Sequence, residues 1–116
     1  MKMMKRGTTF NSGDIVLVPV QFTDSGQVKK RPGVVLFEEH DNVIIAGITG
    51  NVKMDGIPLT VKEGAIKESV IKLNYIFTVS SVMIERVLFS LSLEKKTMVH
   101  DALVMKLSKL IQPAYE

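Results

Sequence analysis

The sequence predicts a mainly β (α+β) domain, a small barrel or sandwich closed by one long C-terminal helix. Short runs of β-branched and apolar residues recur between turn formers, at 15–20, 34–37, 43–48 and 76–79. Only the segment after Ser92 carries apolar residues at helical spacing. The 116 residues hold no repeat, low-complexity stretch or linker, so 1–116 reads as a single domain.

Residues 1–12 are a basic lead-in without apolar periodicity. A strand then runs through Ile15-Val16-Leu17-Val18-Pro19-Val20, after the turn signal Asn11-Ser12-Gly13. Pro19 has no amide hydrogen, so the strand is an edge there or ends there. A polar loop with a glycine hinge at Gly26 delivers the chain to Lys29-Lys30-Arg31, and loops hung between strands commonly carry binding residues.

Two apolar runs follow, 31–38 and 42–49, and the polar break between them marks a hairpin. With Glu39, His40 and Asp41 as its loop, Glu38 faces Asn42. The same register carried outward sets Arg31 opposite Thr49. Opposite side chains share a face, with Cβ atoms about 4.5–5.5 Å apart. A guanidinium and a hydroxyl then meet at the open end of the hairpin, beside two lysines, where a phosphate would fit. A one-residue slip would send them to opposite faces.

Residues 50–56 form a second loop, with Lys53 and Asp55. Ile57, Leu59 and Val61 alternate with polar neighbours as a half-buried strand, and Glu63-Gly64 turns the chain. Residues 69–74 are the next strand, which 75–79 continue past a bend or follow as a separate strand. Ser80 or Ser81 caps one helical turn through Glu85, and Val87-Leu88-Phe89 is a last short strand. Ser92 caps the long helix, with Glu94 in its first turn. Val99, Ala102, Leu103, Leu107, Leu110 and Ile111 make its apolar face, read as core and rim. Met98 and Met105 widen that face, as core and rim first and as a partner surface second, and Pro113 ends the helix.

Composition narrows the chemistry. Hydrophobic residues make up 46% and charged ones 23%, ordinary for a globular chain, and the net charge of +3 is a mild bias toward anionic partners. Without cysteine there is no disulfide, thiol catalysis or cysteine-ligated metal. His40 and His100 are too few and too separated for a zinc site, and no cofactor is expected. No run reaches the length of a membrane span, and the lysines of the first six residues precede no apolar signal region. The expected location is the cytoplasm.

Five blocks resemble one known family in order and spacing: Gly13-Asp14-Ile15-Val16-Leu17-Val18, Lys30-Arg31-Pro32-Gly33-Val34-Val35, Ile44-Ile45-Ala46-Gly47-Ile48-Thr49, Lys67-Glu68-Ser69-Val70-Ile71 and Ile76-Phe77-Thr78-Val79. Over roughly Ser12 to Ile111 the chain looks like a MazF/PemK (Kid) toxin. The resemblance implies a small SH3-like, strongly bent β-barrel with a long C-terminal helix, usually a homodimer. It also implies a metal-independent endoribonuclease, the toxin half of a toxin–antitoxin pair, cutting single-stranded RNA. The family's catalytic arginine and threonine match Arg31 and Thr49. Its substrate-contacting serine falls near Ser25, and later-strand contacts near Asn74 and Tyr75. Many members carry serine after the threonine, where Gly50 stands here.

RNA brings its own nucleophile, the 2′-hydroxyl. The protein must align it with the phosphorus, move protons and stabilise the charge of a phosphorane-like transition state. Arginine suits the last task, offering a rigid fork of donors to phosphate oxygens. Thr49 would bond a non-bridging oxygen, giving a 2′,3′-cyclic phosphate and a 5′-hydroxyl. Lys29, Lys30 and Lys53 would hold the RNA backbone, or are simply solubilising charge. Tyr75 would stack a base, or reads first as a core aromatic. Two other readings stay open: a non-catalytic barrel that binds RNA or protein, and a gyrase poison resembling CcdB. The latter acts through C-terminal residues including a tryptophan, and this chain has none.

Overall fold

The computed structural model describes residues 10–21 and 26–113, without the Gln21 side chain. The basic lead-in expected over 1–12 and the loop with Ser25 lie largely outside the described residues. Six antiparallel strands make one curled sheet: β1 (Asp14–Gln21), β2 (Val28–Glu39), β3 (Asn42–Thr49), β4 (Ile57–Leu59), β5 (Ser69–Ser80) and β6 (Arg86–Ser90). Their spatial order is β4-β5-β3-β2-β1-β6, and α1 (Leu93–Leu107), the one α-helix among the described residues, follows β6.

The sheet bends enough to bury both of its faces. On one face Ile15, Val34, Ala46, Ile48 and Ile71 pack with Leu91, which leads into α1, and Val99 of α1. On the other, Val16, Val18, Val35, Val43 and Ile45 close on themselves with Ile84, edged by Phe10 and Phe77. Neighbouring residues therefore belong to different clusters, as Val34 and Val35 do, which is the two-residue period of a strand.

The hairpin loop is shorter than the sequence suggested. Glu39 pairs with Asn42, so the turn consists of His40 and Asp41 alone. Both have positive φ, 54° and 65°, as a two-residue primed hairpin turn demands. Neither is the glycine or asparagine that would have announced that turn, although both residue types tolerate this region better than most. The register then shifts between Val35 and Phe37, and Leu36 is the extra residue of a β-bulge. From Val35↔Ile45 through Gly33↔Gly47 the pairing matches the sequence-based register.

Pro19 sits where it does least harm, because β1 pairs with β6 only as far as Leu17 and has β2 alone beside it afterwards. β4 stops at Leu59, and Val61, expected as a strand residue, starts a 3₁₀ turn over Val61–Glu63. β5 continues through Tyr75, with the irregularity falling between its pairings to Ala46 and Gly47.

Two caps explain where helical structure begins. Ser92 accepts a hydrogen bond from the Lys95 amide at the start of α1. Thr60 and Glu63 form a reciprocal capping box, and Lys95 Nζ reaches Glu63 Oε2 at 3.3 Å, pinning α1 to the β4–β5 connection. The Thr60 amide bond, opposed by partial burial and aided by the Thr60 hydroxyl and Lys95, holds the Glu63 carboxyl below its ordinary value of 4.5. This contribution is fully present above pH 4.5 and fades as pH falls through the lowered value. Melting temperature measured against pH should accordingly fall less steeply below pH 4.5 for Glu63→Gln than for wild type. Equal slopes would show that the box contributes nothing to folding.

The helix departs from its expected apolar face. Val99 is buried and Ala102 and Leu103 are half-buried, but Leu107, Leu110 and Ile111 are exposed, the last two by 82% and 85%. The chain leaves the α-helix at Leu107 for a 3₁₀ turn over Ser108–Ile111, where the 3.6-residue spacing no longer keeps the last apolar residues on one face. Core and rim describe only the first half of the helix.

Candidate active site

Arg31 lies on β2 and Thr49 at the end of β3. Arg31 pairs with Val18 of β1, and Thr49 with Val70 of β5, each two positions beyond the last β2–β3 pair, Gly33↔Gly47. Counting by twos from Val35↔Ile45 puts Gly33, Gly47, Arg31 and Thr49 on one face of the sheet. Arg31 is exposed and Thr49 half-buried, so neither is lost in the interior.

Gly33 allows the strands to close here. A β-carbon on it would run into Ile45 Cγ2 and stand 3.2 Å from the Ala46 carbonyl oxygen. Thr49 is set by a local bond: its Oγ1 accepts from the Asn51 amide at 3.1 Å, leaving its own proton for another acceptor. A groove of about 350 Å³ opens at Arg31, with Ile15, Leu17, Pro32, Ile48 and Phe89 in its walls; Ile15 and Ile48 belong to the sheet face opposite Thr49, which does not line it. Lys30, Arg31 and Lys67 contribute the cationic part of that lining, and Gly50, the residue after Thr49, also borders it.

The remaining expected contacts separate. Lys30 is bound to Glu85 at 2.5 Å, so part of its charge is already answered. Lys29 and Lys53 are exposed, the latter in the β3–β4 loop, where its amide bonds the Asn51 side chain. Asn74 and Tyr75 are exposed on the irregular stretch of β5, and Tyr75 is 56% accessible rather than a core aromatic. The bulged backbone turns it outward beside Gly47, whose β-carbon position lies 3.4 Å from Tyr75 Cβ. Ser25 is outside the described residues. His40 sits in the far turn, and His100 is exposed with Nδ1 2.9 Å from the neighbouring Asp101 carboxylate.

Two lysines escaped the sequence reading. Lys67 lies in the run Lys67-Glu68-Ser69-Val70-Ile71, and nothing in its local sequence links its charge to the hairpin mouth. Lys72 pairs with Gly47 and is buried, its Nζ donating to the Asp55 carbonyl at 2.7 Å. It thereby ties the β3–β4 loop down over the strand beside Thr49. The signal was a lone lysine within an apolar strand, Val70-Ile71-Lys72-Leu73. Among the described residues, no three His, Asp or Glu side chains gather to hold a metal ion, and no helix is long and apolar enough to cross a membrane.

A family model described as the PemK-like, MazF-like toxin of type II toxin–antitoxin systems matches residues 11–107. A search of curated proteins returns no match. Among solved structures, the Mycobacterium tuberculosis toxin MazF-mt6 superposes with a TM-score of 0.61 at 22% sequence identity. The match covers 77% of this chain and 90% of that one, and at this identity it speaks for the fold.

Proposed function

Because the chain belongs to the PemK-like, MazF-like toxin family of type II toxin–antitoxin systems, we propose that it is a metal-independent endoribonuclease acting on single-stranded RNA. The observation that supports this reading is the placement of Arg31 and Thr49 on one face of the sheet, with Arg31 also bordering a groove that has Lys30 and Lys67 in its lining. The 2′-hydroxyl attacks the adjacent phosphorus, and the P–O5′ bond breaks to leave a 2′,3′-cyclic phosphate and a 5′-hydroxyl. Arg31 meets the charge that grows on the phosphoryl oxygens, since a guanidinium stays protonated throughout. Thr49 directs its hydroxyl proton to a non-bridging oxygen. Lys29, Lys30 and Lys53 attract the backbone, while Asn74 and Tyr75 offer an amide and a ring to an unstacked base. Ser25 is assigned the first-loop contact on the family pattern alone.

The partners follow from the same reading: single-stranded RNA, an antitoxin and a second copy of this chain, all met in the cytoplasm. The exposed Leu107, Leu110 and Ile111, close together in sequence at the end of the helical segment, support a subunit or antitoxin seam, because grouped exposed apolar side chains mark interaction surfaces where single ones do not. Light scattering at micromolar concentration should return twice the monomer mass, and a monomer would remove the dimer from the scheme. The activity itself is tested by incubating the protein with mixed single-stranded RNA in EDTA. Cleavage that disappears in Arg31→Ala supports the enzyme. Tight binding without cleavage by wild type identifies a binding module instead.

A further inference from the structure

We propose that Lys67 is a second phosphate-binding cation of this groove, and that residue 50 is glycine to leave room for it. The proposal deepens the RNA-cleaving reading and rests on it for the identity of the anion.

Arg31 and Lys67 reach the groove from different elements, Arg31 from β2 and Lys67 from the segment entering β5. The Lys67 side chain lies across Gly50, immediately after Thr49. A β-carbon at position 50 would stand 2.5 Å from Lys67 Cε and 2.8 Å from Nζ. Gly50 is not among the positive-φ glycines, which are Gly13, Gly26, Gly56 and Gly64. Its backbone therefore suits any residue, and space for the lysine is what a side chain there would remove. Among the described residues no carboxylate pairs with Lys67, whereas Lys30 has Glu85 and Lys95 has Glu63. Lys67 is exposed, so a phosphate can reach its ammonium with no carboxylate among the described residues competing for it, and a charge-assisted hydrogen bond to a phosphate oxygen is stronger than a neutral one. With a serine at 50 a hydroxyl would occupy this place; here a full charge does.

The test uses the full chain as wild type, Lys67→Met, Gly50→Ala and the double variant. Each is assayed for kcat/KM on a single-stranded oligoribonucleotide and for affinity toward its analogue with 2′-deoxyribose at the scissile position. Lys67→Met should lower kcat/KM about ten- to a hundredfold. It should also flatten the dependence of log affinity on log salt by about 0.7, the share of one single-strand phosphate contact. Lys67→Arg should keep most of both. Gly50→Ala should lower cleavage by pushing the ammonium aside, yet cost nothing further in the Lys67→Met background, because both changes remove one interaction. Unchanged cleavage and salt slope in Lys67→Met overturn the proposal, and so do fully additive losses in the double variant. Circular dichroism melts confirm that each variant is folded. A wild type that binds the analogue but does not cut RNA defeats the enzymatic reading, and the salt slopes then decide Lys67 by themselves. A wild type that does neither overturns both.

Discussion

Arg31→Ala is expected to lower RNA cleavage about a thousandfold, the upper range for removing one donor from a charge-stabilising site. The side chain is exposed at the groove edge, so melting should change little and the loss should appear in kcat more than in KM. Arg31→Lys should recover only a small part, because an ammonium cannot present two parallel donors to two phosphoryl oxygens. A reduction of less than tenfold in Arg31→Ala would assign charge stabilisation to another group.

Ile45→Ala should cost about 3 kcal/mol of folding stability, within the range for emptying a packed core position. Ile45 is fully buried on β3, paired with Val35, and its Cγ2 fills the space left by the absent side chain of Gly33. For a domain of this size that loss corresponds to a melting temperature about 10–20 °C lower. Because Gly33 is two residues from Arg31, the cavity opens beneath the end of the hairpin proposed to act on RNA, and on that proposal cleavage should decline below the new melting point as well. Chemical denaturation giving less than 1 kcal/mol would mean that the second face of the sheet is loosely packed.

Much of this was legible in the sequence, for reasons that differ from element to element. The strands and the Ser92 cap could be read because local chemistry dictates them: β-branched runs, a hydroxyl before a helical pattern, a proline placed past the reach of β6. The register behind the expected Arg31–Thr49 meeting holds through a hairpin that is built differently. A three-residue loop was expected, and the molecule has a two-residue turn and one bulge, which together give the expected pairing as far as Gly33↔Gly47, beyond which Arg31 pairs with β1 and Thr49 with β5. Lys67 and Lys72 were not legible, since each acquires its meaning from a chain distant in sequence, Gly50 for one and Asp55 for the other. The bare end of α1 could not be read either, because spacing marks an apolar stripe without saying where the α-helix gives way to a 3₁₀ turn. Exposure of Tyr75 followed from an irregularity in β5 that no residue type in Asn74-Tyr75-Ile76 announces.

The extra residue at Leu36 makes the distal tip of the hairpin and its working end independent of one another. A chain that loses one residue near His40 can shed the bulge, and one that gains a residue can widen it, with Gly33 still meeting Gly47. Length variation in that tip is thus absorbed as slack before it reaches the guanidinium, and an insertion engineered after His40 should be silent for catalysis where the same insertion after Pro32 would not be.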